Sequence, residues 1–228
     1  MRIAVVTVGD ELLAGDTTNT NAAWLGRQLT ERGVDVERVT VVPDREADIA
    51  RVVNEYHAEY DAVVVTGGLG PTHDDLTMDA VAAAFGRDVA PSEAVVERLV
   101  EEGGYARADL VDGTADVPVG ARPLHNEVGV APGCVIGSVY VLPGVPAEMK
   151  AMFASVADEF GGDVVHVEVV EAAEPESALL DRVRRVREEF DVTVGSYPGE
   201  TVRLKVQHLD PETAERAADW LRERVEQP

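Results

Sequence analysis

Asp74 and Asp75 stand side by side just beyond a glycine-rich stretch, in Thr66-Gly67-Gly68-Leu69-Gly70-Pro71-Thr72-His73-Asp74-Asp75-Leu76-Thr77. This grouping suits a phosphate-bearing ligand. Glycine lets the backbone approach a ligand closely and adopt φ > 0. A helix starting just beyond it offers unpaired N–H groups and a partial positive charge. Adjacent carboxylates can hold a metal ion or a ligand hydroxyl. A tight turn capped by Asp75 or Thr77 is the plainer explanation, and it accounts for one acid and one glycine. It does not explain three glycines, a proline and two aspartates in ten residues. Two familiar loops are excluded. No Gly-Lys-Ser/Thr follows, and His73 stands where the dinucleotide fingerprint wants its third small residue.

Three further stretches carry candidate chemistry. Gly9-Asp10-Glu11-Leu12-Leu13-Ala14-Gly15-Asp16 reads as an acidic loop after the first strand, and Pro43-Asp44 closes the second. Leu142-Pro143-Gly144-Val145-Pro146-Ala147-Glu148-Met149-Lys150 reads as a strand, a rigid turn and a helix with Pro146 in its first turn. That turn is a second candidate anion cradle. Lys150, one turn into the helix, either places a cation near it or is simply solvated.

The elements that must position these loops follow from hydrophobic periodicity. Residues 3–8 and 62–65 are continuous apolar runs, as expected of strands covered on both faces. A second strand runs through Val36, Val39, Val41 and Val42. Helices carry Ala22, Leu25 and Leu29 after a Thr18 or Asn19 cap; Ile49, Val52, Val53 and Tyr56; and Met78, Val81, Ala82 and Phe85. Alternating strands and helices with short loops predict a parallel sheet with helices on both sides. Ligands of such sheets bind beyond the carboxyl ends of the strands. Asp10, Glu11, Asp44, Asp74 and Asp75 would then crowd one edge. Residues 103–133 read as irregular, a candidate flap or subunit contact that includes His125-Asn126-Glu127. Gly161-Gly162-Asp163 marks a domain boundary, giving domains at 1–162 and 163–228. The second reads β-α-β-β-α, a small α+β unit. Its helical Arg182, Arg184, Arg185 and Arg187 read as a solvated face beside Glu188 and Glu189.

Composition narrows the function classes. The 228 residues are 45% hydrophobic, so a proper core is expected. The net charge of −23, from 43 acidic and 20 basic residues, argues against a general nucleic-acid or anionic-membrane surface. Acids are spread along the whole chain, and Lys150 and Lys205 are its two lysines. This resembles the composition of proteins from salt-loving organisms. Cys134 is the single cysteine, so no internal disulfide forms, and it reads as a small buried apolar residue. No signal peptide and no apolar run near 18 residues is found, so a cytoplasmic protein without a membrane span is expected.

Val8-Gly9-Asp10-Glu11-Leu12-Leu13-Ala14-Gly15 with Asn19-Thr20-Asn21-Ala22, then Thr66 to Thr77, then Leu142 to Lys150, resemble in order three motifs of the CinA-type proteins (competence/damage-inducible protein A). The tail from Val194 to Val206 resembles their small KH-like second domain. Longer relatives continue into a nicotinamide-nucleotide amidase domain, an activity expected to be absent here. The first domain is similar to the molybdopterin-binding fold of the MoaB, MogA and MoeA proteins. The resemblance implies a three-layer α/β sandwich with a mainly parallel sheet, usually as a homo-oligomer. It implies ligand contacts at Asn19, Asn21, Gly67, Gly68, Gly70, Thr77, Pro143, Gly144, Pro146 and Lys150. Asp44 and Asp75 match acidic positions of the molybdopterin adenylyltransferases and become the candidate catalytic residues. Two departures matter: those enzymes usually have threonine where Leu69 stands and a basic residue where Asp74 stands.

By this resemblance, the first expected function is hydrolysis of ADP-ribose or a similar nucleotide diphosphate. It would depend on a divalent metal (Mg, Mn or Co) and on potassium, with Asp10, Glu11, Asp74 and Asp75 as candidate metal ligands. Asp74 beside Asp75 fits metal-assisted attack on a pyrophosphate better than binding of an unaided anion. The alternatives are molybdopterin binding or adenylylation, with a pterin phosphate as the small-molecule partner, and a non-catalytic binding or regulatory module.

Overall fold

The structure is a computed structural model describing residues 1–70, 72, 75–101, 105–106 and 113–228. They form two compact units, Met1–Gly162 and Asp163–Pro228. In chain order the first unit runs β1 (Arg2–Val8), α1 (Asp10–Ala14), α2 (Thr20–Thr30), β2 (Asp35–Val42), α3 (Glu46–Glu59), β3 (Ala62–Thr66), α4 (Thr77–Ala84), β4 (Val89–Pro91), α5 (Glu93–Glu101), β5 (Asp116–Pro118), β6 (Arg122–Leu124), β7 (Gly133–Ile136), β8 (Val139–Leu142) and α6 (Pro146–Val156). Its main sheet has the order β2-β1-β3-β8-β7-β6. The first four of these strands are mutually parallel, and β7 and β6 add antiparallel.

Successive side chains of a strand point to opposite faces. Ile3, Val5, Ala62, Val64, Tyr140 and Leu142 therefore pack on one side, with Leu25 and Leu29 of α2 and Met149, Met152 and Phe153 of α6. Ala4, Val6, Val63, Val65, Val139 and Val141 pack on the other, with Ile49, Val52 and Val53 of α3 and Ala80 and Val81 of α4. Consecutive apolar residues are required because both faces are covered, and the result is a three-layer α/β sandwich. Fully burying each valine or leucine stabilises it by roughly 1.5–3 kcal/mol. No helix among the described residues is long and apolar enough to cross a membrane.

Helix α2 lies on one face and α4 on the other, so the chain leaves the neighbouring strands β1 and β3 toward opposite faces. Such a divergence opens a crevice at the carboxyl ends of the strands.

Two expectations are corrected. The stretch after Val8, expected as a loop, opens with the five-residue helix α1. Residues 103–133, expected to be irregular, contain β5, paired antiparallel with β4, then β6 and the start of β7. Strands of three or four residues broken by glycine and proline are too short for alternation to reveal.

The second unit runs β9 (His166–Ala172), α7 (Glu176–Phe190), β10 (Thr193–Pro198), β11 (Val202–His208) and α8 (Pro211–Arg222). Strand β11 is central, with antiparallel neighbours on both sides. One sheet face, through Val170, Val202, Leu204 and Val206, packs with Leu179 and Val186 of α7 and Ala217 and Leu221 of α8. This is the β-α-β-β-α order read from the sequence.

Candidate functional site

A threonine lies at or next to the end of each central valine strand. Thr7 and Thr66 are partners in the β1–β3 register, and both are buried. A buried hydroxyl needs a partner, and each finds one at the rim. Thr66 Oγ1 donates to the carbonyl of Pro143, 2.6 Å away, tying the end of β3 to the turn after β8. Thr7 Oγ1 accepts from Asn19 Nδ2 at 2.9 Å. Asn19 caps α2, its Oδ1 accepting from the N–H of Ala22 at 3.1 Å. Two residues on, Asn21 Nδ2 donates to the carbonyl of Gly144 at 2.7 Å and, more weakly, to Thr66 Oγ1 at 3.4 Å. Three loops far apart in sequence are thus bonded together at the ends of β1, β3 and β8.

The glycines of the third loop are demanded by these contacts. Gly67 has φ +108°, and a Cβ there would lie 2.3 Å from the carbonyl oxygen of Val8. Gly68 has φ +63°, and its Cβ would meet Thr77 Oγ1 at 2.4 Å. The loop closes on the start of α4: Thr77 Oγ1 donates to Gly67 O at 2.9 Å and Thr77 N–H to Gly68 O at 3.2 Å. The first donor of that helix therefore serves the loop itself. Asp75 Oδ2 accepts from both the N–H and the hydroxyl of Thr72. On the β1 side, Asp44 Oδ2 accepts from the N–H of Asp10 at 2.7 Å and so caps α1, whose own N-cap residue Gly9 has no side chain to do so.

A cavity of about 110 Å³ opens between the ends of β1 and β3, lined by Thr7, Glu11, Asn19, Asn21, Thr66, Gly67, Gly144 and Pro146 among others. It lies where the topology opens its crevice. A larger one, about 350 Å³, lies between α5 and the loop after β6 and is lined by Arg98, Leu99, His125, Glu127 and Pro132. It includes no residue from the ends of the parallel strands. We assign the site to the smaller cavity on that ground.

The predicted residues fall into two groups. Glu11, Asn19, Asn21, Gly67, Gly144 and Pro146 line the cavity, and Pro143 is bonded into its wall. Asp44 precedes α3, and Gly68, Gly70, Asp75 and Thr77 precede or begin α4; these two helices cover the opposite face of the sheet. Gly67 joins the two groups: a Cβ on Gly144 would come within 3.2 Å of its Cα, and the chain continues from it into Gly68. From β2 to β8 is three inter-strand steps, so the ends of these two strands lie roughly 14 Å apart along one edge. Lys150 does not line the cavity; its ammonium sits 5.7 Å from the centroid of the Trp24 ring. Asp74 lies outside the described residues. Among the described residues no three His, Cys, Asp or Glu side chains lie together as a metal site.

Sequence reasoning missed Thr7 and Thr66. The available signal was a hydroxyl at or next to the end of each of two largely apolar strands. Thr17, Thr18 and Thr20, which also line the cavity, were visible only as a helix-start motif.

Fold and rim together define an α/β domain with a small-molecule crevice. The sequence profile of a family described as a probable molybdopterin binding domain matches residues 4–161. An Archaeoglobus fulgidus protein is 38% identical over 98% of this chain and 97% of its own length. The crystal structure of the protein CinA, of unknown function, from Thermoplasma acidophilum is 38% identical, with a TM-score of 0.65 over 70% of this chain and 97% of that one. A CinA-like protein of Frankia casuarinae is 44% identical over 68% of this chain, which spans 39% of that protein. The chain belongs to the probable molybdopterin binding domain family, among its CinA-type members.

Proposed function

We propose that the first unit hydrolyses the pyrophosphate of a nucleotide diphosphate such as ADP-ribose, with a divalent metal. The observation that supports this is the rim bonded together by Thr66, Asn21 and the Pro143-Gly144 turn beside a polar cavity, with Asp44 and Asp75 on neighbouring strand-end loops. A dinucleotide-like ligand has a charged centre and uncharged ends, which matches a rim with two differing halves. Asp75 and Asp44 are the carboxylates assigned to the reaction. Magnesium is commonly held by one or two carboxylates together with substrate phosphates, so a three-carboxylate cage is not required. Bound with Asp75 or Asp44, such an ion would neutralise the diphosphate and lower the pKa of the attacking water. Asn19 and Asn21 fix the cavity wall, and Gly67 and Gly68 allow β3 and its loop to close on Val8 and Thr77.

The test is release of AMP from ADP-ribose by the purified full chain, with magnesium, manganese or cobalt and potassium. Asp75→Asn is expected to lower the rate about 100-fold or more, the usual range for a lost acid–base group. No AMP with any of these metals sinks the hydrolase. The family match favours a second function, molybdopterin binding or adenylylation. Tight binding of molybdopterin without ADP-ribose hydrolysis would select it. Failure of both leaves a non-catalytic module.

A further inference from the structure

The polarity of the cavity between β1 and β3 restricts what can enter it. Three of its side-chain donors are turned into the protein. Asn19 Nδ2 donates to Thr7 Oγ1, Asn21 Nδ2 to Gly144 O, and Thr66 Oγ1 to Pro143 O. The carbonyl of Gly144 can only accept, so it fixes the orientation of the Asn21 amide. That leaves Asn21 Oδ1, an acceptor. It is shielded from solvent and has no partner among the described residues, one of two such side-chain atoms with Ser196 Oγ. Such an atom calls for an explanation. Among the described residues Glu11 is the one ionisable side chain lining the cavity, and no lysine, arginine or histidine joins it there. Its carboxyl folds back so close that a Cβ on Gly9 would lie 2.4 Å from Oε1.

We infer that this cavity takes the uncharged, hydroxyl-bearing end of the ligand, a ribose-like polyol, and does not take its phosphate. A phosphate dianion is acceptor-rich and would face the Glu11 carboxylate with no lining cation to offset it. A sugar hydroxyl donates to a carboxylate or an amide oxygen and accepts from the hydroxyls of Thr17, Thr18 and Thr20 in the wall. Carboxylates are used in this way to hold ribose hydroxyls at other strand-end sites. The phosphates then belong on the glycine-loop side, across the Gly67–Gly144 contact. This rests on the strand-end rim being the ligand site.

Calorimetry on the full chain with two probes, inorganic phosphate and D-ribose 5-phosphate, tests it at one fixed magnesium concentration, because the proposed reaction holds the phosphates with a metal. Ribose 5-phosphate is expected to bind at least about tenfold more tightly, since a hydrogen bond to a charged acceptor is of that order. Glu11→Gln, an exposed and shape-conserving change, is expected to abolish most of the difference while leaving phosphate affinity unaltered. Equal affinities, a missing response to either probe, or a Glu11→Gln variant that weakens both probes alike or neither, overturns the inference. AMP release from ADP-ribose by the wild-type chain is a separate readout. It can persist when the polyol assignment fails, so the two failures are distinguishable.

Discussion

Thr66→Val is the substitution that most sharply probes how the rim is held. It changes the shape of the side chain little but removes the hydroxyl that donates to Pro143 O at 2.6 Å and accepts from Asn21 Nδ2 at 3.4 Å. Thr66 and Pro143 are both buried, so water cannot replace the lost donor. Stranding a buried carbonyl costs about 1–3 kcal/mol. The added methyl group offsets up to about 0.8 kcal/mol through burial. The net expectation is a loss of about 1–2 kcal/mol, roughly a tenfold change in the folding equilibrium. Thr30→Val is the control. Its hydroxyl also donates to a carbonyl, that of Gly26, but on the exposed surface of α2, where the change should stay within about 0.5 kcal/mol. Asn21→Ala should couple to Thr66→Val by about 0.5–3 kcal/mol, because the two side chains share the same turn. Urea unfolding reads the effect through Trp24, which packs edge-on against Phe153 in the first unit. A Trp220→Phe background silences the other tryptophan. If Thr66→Val costs no more than Thr30→Val, the rim is not held by this hydroxyl.

Three further outcomes are expected from the rim, the core and the surface charge. Gly67→Ala must place a Cβ 2.3 Å from Val8 O at φ +108°, and about 3 kcal/mol of stability should be lost in urea titration; a neutral effect would show that the loop does not close on β1. Burial pushes the Cys134 thiol up to about 12, so at pH 8 only about one molecule in ten thousand carries the thiolate and a thiol reagent should react only after unfolding. The net charge of −23 repels itself in dilute buffer and is screened at molar salt, where the Debye length is about 3 Å. The thermal midpoint should therefore rise from dilute buffer to molar KCl, and a constant midpoint would contradict this.

How far the sequence disclosed this protein depends on the kind of signal each part carries. Buried parallel strands announce themselves because Ile3–Val6 and Ala62–Val65 must be apolar on both faces, a pattern that a half-exposed strand does not need. The strand-end loops were legible because glycine, proline and aspartate carry turn chemistry in their own covalent structure. Thr7 and Thr66 were not, because threonine is also an ordinary strand former and its hydroxyl acquires meaning only once β1 lies beside β3. The split of the predicted residues into two groups was hidden for the same reason: it depends on strand order and on which face each helix takes. Lys150 illustrates a tertiary override, since its spacing from Pro146 suggested an anion and the packing of α6 against α2 brought it to Trp24. Strands β5 and β6 were lost because three residues hold barely one period of alternation.

The most direct test of the central assignment is a crystal structure of the full chain with ADP-ribose and magnesium. The account predicts the ligand at the carboxyl ends of β1, β3 and β8, with its pyrophosphate on the glycine-loop side of the Gly67–Gly144 contact and a ribose in the cavity beside Glu11 and Asn21. Ligand bound in the larger cavity beside α5, or no ligand bound at saturating concentration, would contradict it.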